Sequence, residues 1–235
     1  MMRSPEIRSA LPHTRILNQE TFSSFLKRYG KIIIKPSGGS GGIGVIQVSE
    51  IGNRRFNVHY GKTQKVTTVI QETFRLIRYL IRKNGRAARS YLVQQRIPLA
   101  EINGKPFDVR VMVQKRGSTW YVTAMMAKIG GKGYFITNLA LSKGRALPFS
   151  TAIRHSNIRG ASTRDIQRRI KFVALKTLYR LQKYYRIQTV GLDIGIDTQG
   201  KVWIIEANFT PDKSYFNRLK DKTMYRRVIA YYKRR

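Results

Sequence analysis

The chain has no cysteine, which removes disulfides, thiolate zinc centres, iron–sulfur clusters and thiol nucleophiles from consideration. Histidine is almost as scarce: three occur, at positions 13, 59 and 155, too dispersed for an H-E-x-x-H helix or any zinc-ligand spacing. There is no G-x-S-x-G elbow, so the familiar serine-hydrolase signature is missing too. No apolar run nears the roughly 18 residues of a membrane-spanning helix. The first residues lack the apolar segment of a secretory signal, which leaves cytoplasmic residence as the default expectation. Acids are the other deficit: 12 Asp+Glu face 46 Lys+Arg among 235 residues, a formal net charge of +34. With 42% hydrophobic and 11% aromatic residues the chain can still bury a core, so this charge belongs to something folded rather than to a disordered basic tail.

Glycine, by contrast, is concentrated. Five of the seven residues 38–44 are Gly, and the loop follows the strand-like run Lys31–Lys35 and precedes the alternating Val45-Ile46-Gln47-Val48. Backbone N–H groups freed of side chains suit phosphate oxygens. The bland alternative is a hairpin connection with no ligand. Gly39-x-Gly41-x-x-Gly44 spells G-x-G-x-x-G, but a strand follows where the dinucleotide fingerprint needs a helix. The P-loop Lys-Ser/Thr is replaced by Val45-Ile46, and the kinase H-R-D and D-F-G motifs are absent.

The remaining pattern predicts a short helix capped by Asn18 or Thr21 and ended by Gly30, and an amphipathic helix from about Lys65 to Asn84. Strands are predicted at 91–97, 107–115, 119–127 and 134–139. A long helix follows Ser162, with Asp165 in the capping box, then strands at 189–196 and 201–207 joined by an Asp197–Gly200 hairpin. Mostly antiparallel strands with two long helices argue for an α+β fold.

Five of the scarce acids fall in residues 93–110 and 190–208. Alternation puts Glu206 and Asn208 on one strand face, with Asp193 opposite them on the neighbouring strand. Three hard oxygen ligands without His or Cys suit Mg²⁺, which keeps waters and shares positions with phosphates. The competing role for Asp193 and Glu206 is to neutralise Lys or Arg in a basic core.

Lys35-Pro36 before the glycine loop, Gln94-Gln95-Arg96-Ile97, Asp108-x-Arg110, Thr137-Asn138, Asp193 and Glu206-x-Asn208 occur in the order of an ATP-grasp fold. Over roughly residues 11–212 the chain resembles, more narrowly, the YheC/YheD family, described as endospore coat-associated. The resemblance implies two α+β subdomains with mostly antiparallel sheets sandwiching ATP, and an N-terminal pre-ATP-grasp domain missing or vestigial. It divides the chain into a leader (1–17), a glycine-loop subdomain (18–92), a Mg²⁺-site subdomain (93–212) and a basic tail (213–235). Lys35 would contact phosphate or purine, and the loop with Ser37, Gly38, Gly39, Ser40, Gly41 and Gly42 would cover the phosphates. Gln94, Gln95 and Ile97 would line the adenine, Glu101 the ribose, and Asn138 the nucleotide. Arg110 and Lys128 look like the catalytic cations facing the γ-phosphate, with Asp108 orienting Arg110. Asp193, Glu206 and Asn208 would hold one or two Mg²⁺.

What the resemblance implies is a Mg²⁺-dependent, ADP-forming carboxylate–amine ligase passing through an acylphosphate, with small-molecule or peptide acid and amine substrates, in a sporulating cell. The alternative is a noncatalytic polyanion-binding protein on the same scaffold, because one cleft needs few cations and the excess charge must lie elsewhere. Nucleic acid, polyphosphate or a wall polymer would be its partner. Cations and aromatics interleave at Tyr179-Arg180, Tyr184-Tyr185-Arg186 and 231–235.

Overall fold

A computed structural model describes residues 5–38, 41–83 and 90–233. In chain order they form α1 (Pro5–Arg8), β1 (Thr14–Ile16), α2 (Gln19–Tyr29), β2 (Lys31–Pro36), β3 (Ile46–Glu50), β4 (Phe56–Tyr60), β5 (Thr63–Thr67), α3 (Ile70–Lys83) and β6 (Tyr91–Gln95). Then come β7 (Glu101–Ile102), β8 (Lys105–Arg116), β9 (Thr119–Ile129), β10 (Arg145–Pro148), α4 (Phe149–Arg154), α5 (Thr163–Leu181), β11 (Thr189–Ile196), β12 (Val202–Asn208), a 3-10 turn (Lys213–Arg218) and α6 (Thr223–Lys233). The α+β expectation holds, and the strand pairs are antiparallel.

The chain folds as two compact units, one comprising residues 12–96 with 133–136 and the other the rest of the described chain. In the first, the strand order is β1-β6-β2-β3-β4-β5. Asn18 accepts from the Thr21 N–H at 2.7 Å while the Thr21 hydroxyl accepts from the Asn18 N–H at 2.9 Å, a reciprocal cap that starts α2. Gly30, at φ 64°, ends it in the left-handed region that glycine enters without penalty. α2 buries Phe22, Phe25 and Leu26 against Ile32, Ile34, Ile46 and Val48 of the sheet, with Ile77 of α3 in the same core.

The helix expected from Lys65 starts only at Ile70, and 63–67 is instead the strand β5, paired with β4. Val66-Thr67-Thr68-Val69-Ile70 is an unbroken β-branched run whose stiff χ1 angles favour the strand, although its apolar spacing fits a helix. The strand expected at 134–139 is not formed. Phe135 packs on His59 and Tyr134 receives the Lys62 ammonium, while the Thr137 hydroxyl donates to Asp108; these side chains serve separate partners and line no ladder.

In the second unit the order is β10-β9-β8-β11-β12, with β7 folded onto β8. One face of this sheet carries Val109, Val111, Val113, Val190, Leu192 and Ile194 into a core closed by Ile166, Ile170, Val173, Ala174 and Leu178 of α5. Successive strand residues alternate in direction, so Asp108, Arg110, Met112 and Gln114 project from the opposite face. The 3-10 turn and α6 cover part of that face: Phe216, Leu219 and Val228 pack with Met112, Ala124 and Met126. The residues expected as a basic tail thus contribute core. Those expected as a leader divide, with Ile7 and Ala10 in the second unit's core and β1 paired to β6 in the first unit. Among the described residues no helix is long and apolar enough to cross a membrane.

Candidate functional site

Antiparallel register sets Asp108 opposite Lys128, Arg110 opposite Asp193, and Asp193 opposite Glu206. Cross-strand partners share a face, so four charged side chains from three adjacent strands meet on the polar side of the second sheet. Asp108, Arg110, Lys128 and Asp193 are 3%, 5%, 4% and 6% exposed. Arg110 grips Asp193 with two parallel bonds, Nε to Oδ1 at 2.7 Å and Nη2 to Oδ2 at 3.0 Å. Lys128 Nζ bridges the two acids, 3.0 Å from Asp193 Oδ1 and 3.3 Å from Asp108 Oδ2. Two carboxylates against two cations make the cluster neutral, which is what allows it to be buried.

Two glycine positions make room for this arrangement. A β-carbon on Gly191 would lie 2.9 Å from Arg110 Nη1 and 2.7 Å from Pro211 Cβ. One on Gly195 would lie 2.7 Å from Leu99 Cδ2, so the Leu99 side chain packs over bare backbone here and would have to shift for any larger residue. Tyr215 supplies a further support that the sequence did not signal, its ring centroid 5.2 Å from the Arg110 guanidinium carbon.

Asp108 does not orient Arg110 as expected. Its Oδ2 is taken by Lys128 and the Thr137 hydroxyl, because Lys128 is its cross-strand partner and Asp193 lies across from Arg110. Asp108 Oδ1 is buried with no hydrogen-bond partner among the described residues. Burial pushes the Asp108 carboxyl up to about 6, Lys128 offsetting only part of that effect. Burial acts upward on Asp193 too, but Lys128 and Arg110 together outweigh it and hold this carboxyl below the usual range.

These directions give a pH test. An acid whose folded-state pKa is raised favours folding at low pH, and that contribution is lost as pH rises from its ordinary value of 3.8 through about 6. The melting temperature of wild type minus that of Asp108→Asn is therefore expected to fall as pH rises from about 4.5 to about 7.5. A difference constant across that range would show that Asp108 does not titrate there.

Asn208 Nδ2 lies 3.5 Å from Asp193 Oδ2 and 3.4 Å from the Gly191 carbonyl. Glu206 is exposed at the edge of the cluster, in register with Asp193. Among the described residues no three His, Asp or Glu side chains gather as a metal-binding group. A cation here would therefore need the Asn208 amide oxygen beside the two carboxylates, and a half-turn of that amide presents it. Asp193, Glu206 and Asn208 are then a hard-oxygen set that fits Mg²⁺ completed by water or phosphate. Asp193 also performs the competing role considered for it, pairing two basic core side chains.

Lys35, Ser37, Gly38, Gly41, Gly42, Gln94 and Gln95 belong to the first unit; Gly39 and Ser40 lie outside the described residues. Lys35 is half-buried near the end of β2, and the Ser37 N–H donates to Ser90 O at 2.8 Å. Gly41, Gly42 and Gly44 have φ of 76°, 72° and 82°, values a side chain would resist. β6 is paired on both edges, by β1 and β2. Its Gln94 side chain donates to Thr14 Oγ1 at 2.8 Å, and Gln95 Oε1 accepts from the His13 N–H at 3.4 Å. A base read by backbone groups would thus have to use residues beyond Gln95. Ile97, Glu101 and Asn138 belong to the second unit. Glu101 accepts from Asn157 through its carbonyl and donates its own N–H to Asn157 Oδ1 at 2.8 Å, while Asn138 Oδ1 accepts from the Leu141 N–H at 2.8 Å and caps a turn.

Residues 1–233 match the family described as YheC/D like ATP-grasp. The chain belongs to that family. It is 28% identical over 219 residues to the endospore coat-associated protein YheD of Bacillus subtilis, covering 92% of this chain and 47% of the relative. It is 24% identical over 217 residues to YheC of the same organism, covering 86% of this chain and 55% of the relative. The chain thus spans about half the length of the curated relatives it matches. Among solved structures, D-alanyl-alanine synthetase A from Vibrio cholerae superposes with a TM-score of 0.53 at 12% identity, covering 95% of this chain and 61% of the other. A RiPP-associated ATP-grasp ligase from Chryseobacterium gregarium, in complex with ADP and a leader and core peptide, gives 0.51 at 13% identity, covering 96% and 55%. The C-terminal domain of K. lactis Pby1 gives 0.54 at 14% identity, covering 97% and 66%. At such identities the likeness establishes the ATP-grasp fold.

Proposed function

We propose that the chain binds ATP with Mg²⁺ and activates a carboxylate by phosphoryl transfer, in the manner of carboxylate–amine ligases. The observation that carries this reading is the buried Asp108–Lys128–Asp193–Arg110 cluster, with Glu206 and Asn208 beside it, in a chain whose family is ATP-grasp. Arg110 and Lys128 are fixed cations in a dry setting, where they stabilise the charge that spreads over a transferring phosphoryl group without reorganising. Arg110 is aimed by Asp193 and Tyr215, Lys128 by the two acids it bridges. Bound Mg²⁺ would neutralise phosphate charge and hold the terminal phosphates in line, and Asp193, Glu206 and Asn208 are the residues to hold it. Lys35 and the glycine loop supply phosphate donors: an ammonium and a run of backbone N–H groups with left-handed φ. An endospore-associated role belongs to the same reading and rests on the two curated relatives.

The experiment is a product analysis. The protein is incubated with ATP, Mg²⁺ and panels of carboxylic acids and amines, and nucleotide products are separated. ADP and phosphate formed in the presence of an acid and an amine are expected. Formation of AMP and pyrophosphate would reject the acylphosphate route.

A further inference from the structure

The second unit holds a groove of about 530 Å³ lined by Ala10, Arg168, Arg169, Phe172 and Lys201, apart from the charged cluster described above. Its wall is α5, a helix with six Lys/Arg against one acid, Asp165. The core face of α5 is Ile166, Ile170, Val173, Ala174, Leu178 and Leu181, all buried, of which Val173 also borders the groove. Phe172 and Tyr179 nevertheless stand in solvent, 50% and 41% exposed. They are not isolated. Arg168, Phe172, Lys176 and Tyr179 follow one another at i+4, i+4 and i+3 within α5, and all four are exposed. At 3.6 residues per turn these positions share an arc of about 80°, so cations and aromatic rings alternate along one stripe leading out of the groove.

The two rings are seven residues apart, two helical turns or about 10 Å, which separates two stacking platforms. Lys176 Nζ sits 5.5 Å from the centroid of Phe172, and the Arg169 side chain donates to Gly200 O at 3.2 Å, which fixes it at the groove floor. Arg168 pairs with Asp165 and Lys201 Nζ lies 3.7 Å from the Trp203 ring centroid, so the groove's cations are held in place beside the exposed rings.

We infer that this groove and stripe bind a single-stranded nucleic acid segment. Phosphate alone would explain the cations but not two exposed rings set among them, whereas single-strand sites combine a basic track with aromatic platforms. A duplex would bury its bases away from those rings.

The test is a fluorescence-polarisation titration with labelled single-stranded oligo(dT) and oligo(U), a duplex of equal length, and inorganic polyphosphate. Wild type, Phe172→Ala, Tyr179→Ala and the double variant Arg169→Gln/Lys201→Gln are compared at several salt concentrations. Single strands are expected to bind more tightly than duplex or polyphosphate. Each aromatic substitution is expected to weaken single-strand binding about tenfold while leaving polyphosphate binding unchanged. The double variant is expected to reduce the salt slope by about 1.4, at ~0.7 per phosphate lost for single strands. The two single-strand arms decide between DNA and RNA. All substituted residues are surface side chains, and unchanged melting temperatures and unchanged ATP response in the variants confirm that the fold is intact. Equal binding of polyphosphate and oligonucleotide, with Phe172→Ala and Tyr179→Ala silent, would overturn the inference, as would a preference for duplex.

Discussion

Asp193→Asn is expected to lose both stability and Mg²⁺-dependent ADP formation, whereas Glu206→Gln is expected to lose only the second. From sequence the two substitutions look alike, each an isosteric loss of one carboxylate charge. The structure separates them. Asp193 is 6% exposed and is the carboxylate that Arg110 grips and Lys128 shares, so its neutralisation leaves the Arg110 guanidinium buried without a countercharge. Breaking one side of a buried ion pair costs about 3–5 kcal/mol. Asparagine keeps one acceptor oxygen, which points to the lower end, about 3 kcal/mol, or roughly 6–12 °C in melting temperature for a chain of this size. Glu206 is exposed, and its conversion to Gln is expected to change stability by no more than about 0.5 kcal/mol. For phosphoryl transfer both lose a hard charged ligand, and Asp193→Asn also loosens the aim of Arg110. A fall of about 10²-fold for Glu206→Gln and about 10³-fold for Asp193→Asn is expected, the range seen when a preorganised charge-stabilising group is removed. Calorimetry and initial rates of ADP release on the same preparations check this. Loss in Asp193→Asn alone would confine the role of Asp193 to holding Arg110 and Lys128. Full activity in both would move the metal site elsewhere.

How much of this was legible depended on whether a residue's neighbours lay close in sequence or across a sheet. The Asn18/Thr21 cap, the Ser162 cap of α5 and the β11–β12 hairpin are local devices, and their residues announce them. The partners of Asp193 are half-legible: alternation places Glu206 and Asn208 opposite it, but Arg110 and Lys128 reach it through the register of β8 and β9, which periodicity does not fix. Sequence proximity pairs Asp108 with Arg110, two residues away, for the same reason, whereas the cation it meets is its cross-strand partner Lys128. β5 was hidden inside a helical spacing because its exposed residues leave no alternation to read. In the tail, composition hides the residues that pack. Nine Lys/Arg in residues 211–235 mark a solvated surface, yet Phe216 and Val228 in that stretch are fully buried against β8 and β9. Tyr215, which lies against Arg110, is carried to the site by that same stretch.

ATP with Mg²⁺ is expected to raise the melting temperature by about 5–10 °C, and Lys35→Ala is expected to remove most of that rise. A ligand that binds only the folded state stabilises it by RT ln(1 + [L]/Kd), about 2.7 kcal/mol at a hundredfold excess over Kd. At roughly 2–4 °C per kcal/mol for a domain of this length, the shift is several degrees and easily measured. Lys35 is the cation nearest in sequence to the glycine loop, half-buried on β2 one residue before Pro36, and it belongs to a sheet separate from the one that carries Arg110 and Lys128. Its loss therefore tests the loop's part in phosphate binding without disturbing the buried cluster. The charge of +34 demands a control, because any polyphosphate will associate with so basic a chain. Nonspecific association of that kind falls steeply with salt. The shift with ATP is expected to persist at about 0.3 M salt, where inorganic triphosphate no longer gives one. A wild-type melting temperature that saturating ATP leaves unmoved would reject nucleotide binding, and a shift of full size in Lys35→Ala would place the phosphates away from the glycine loop.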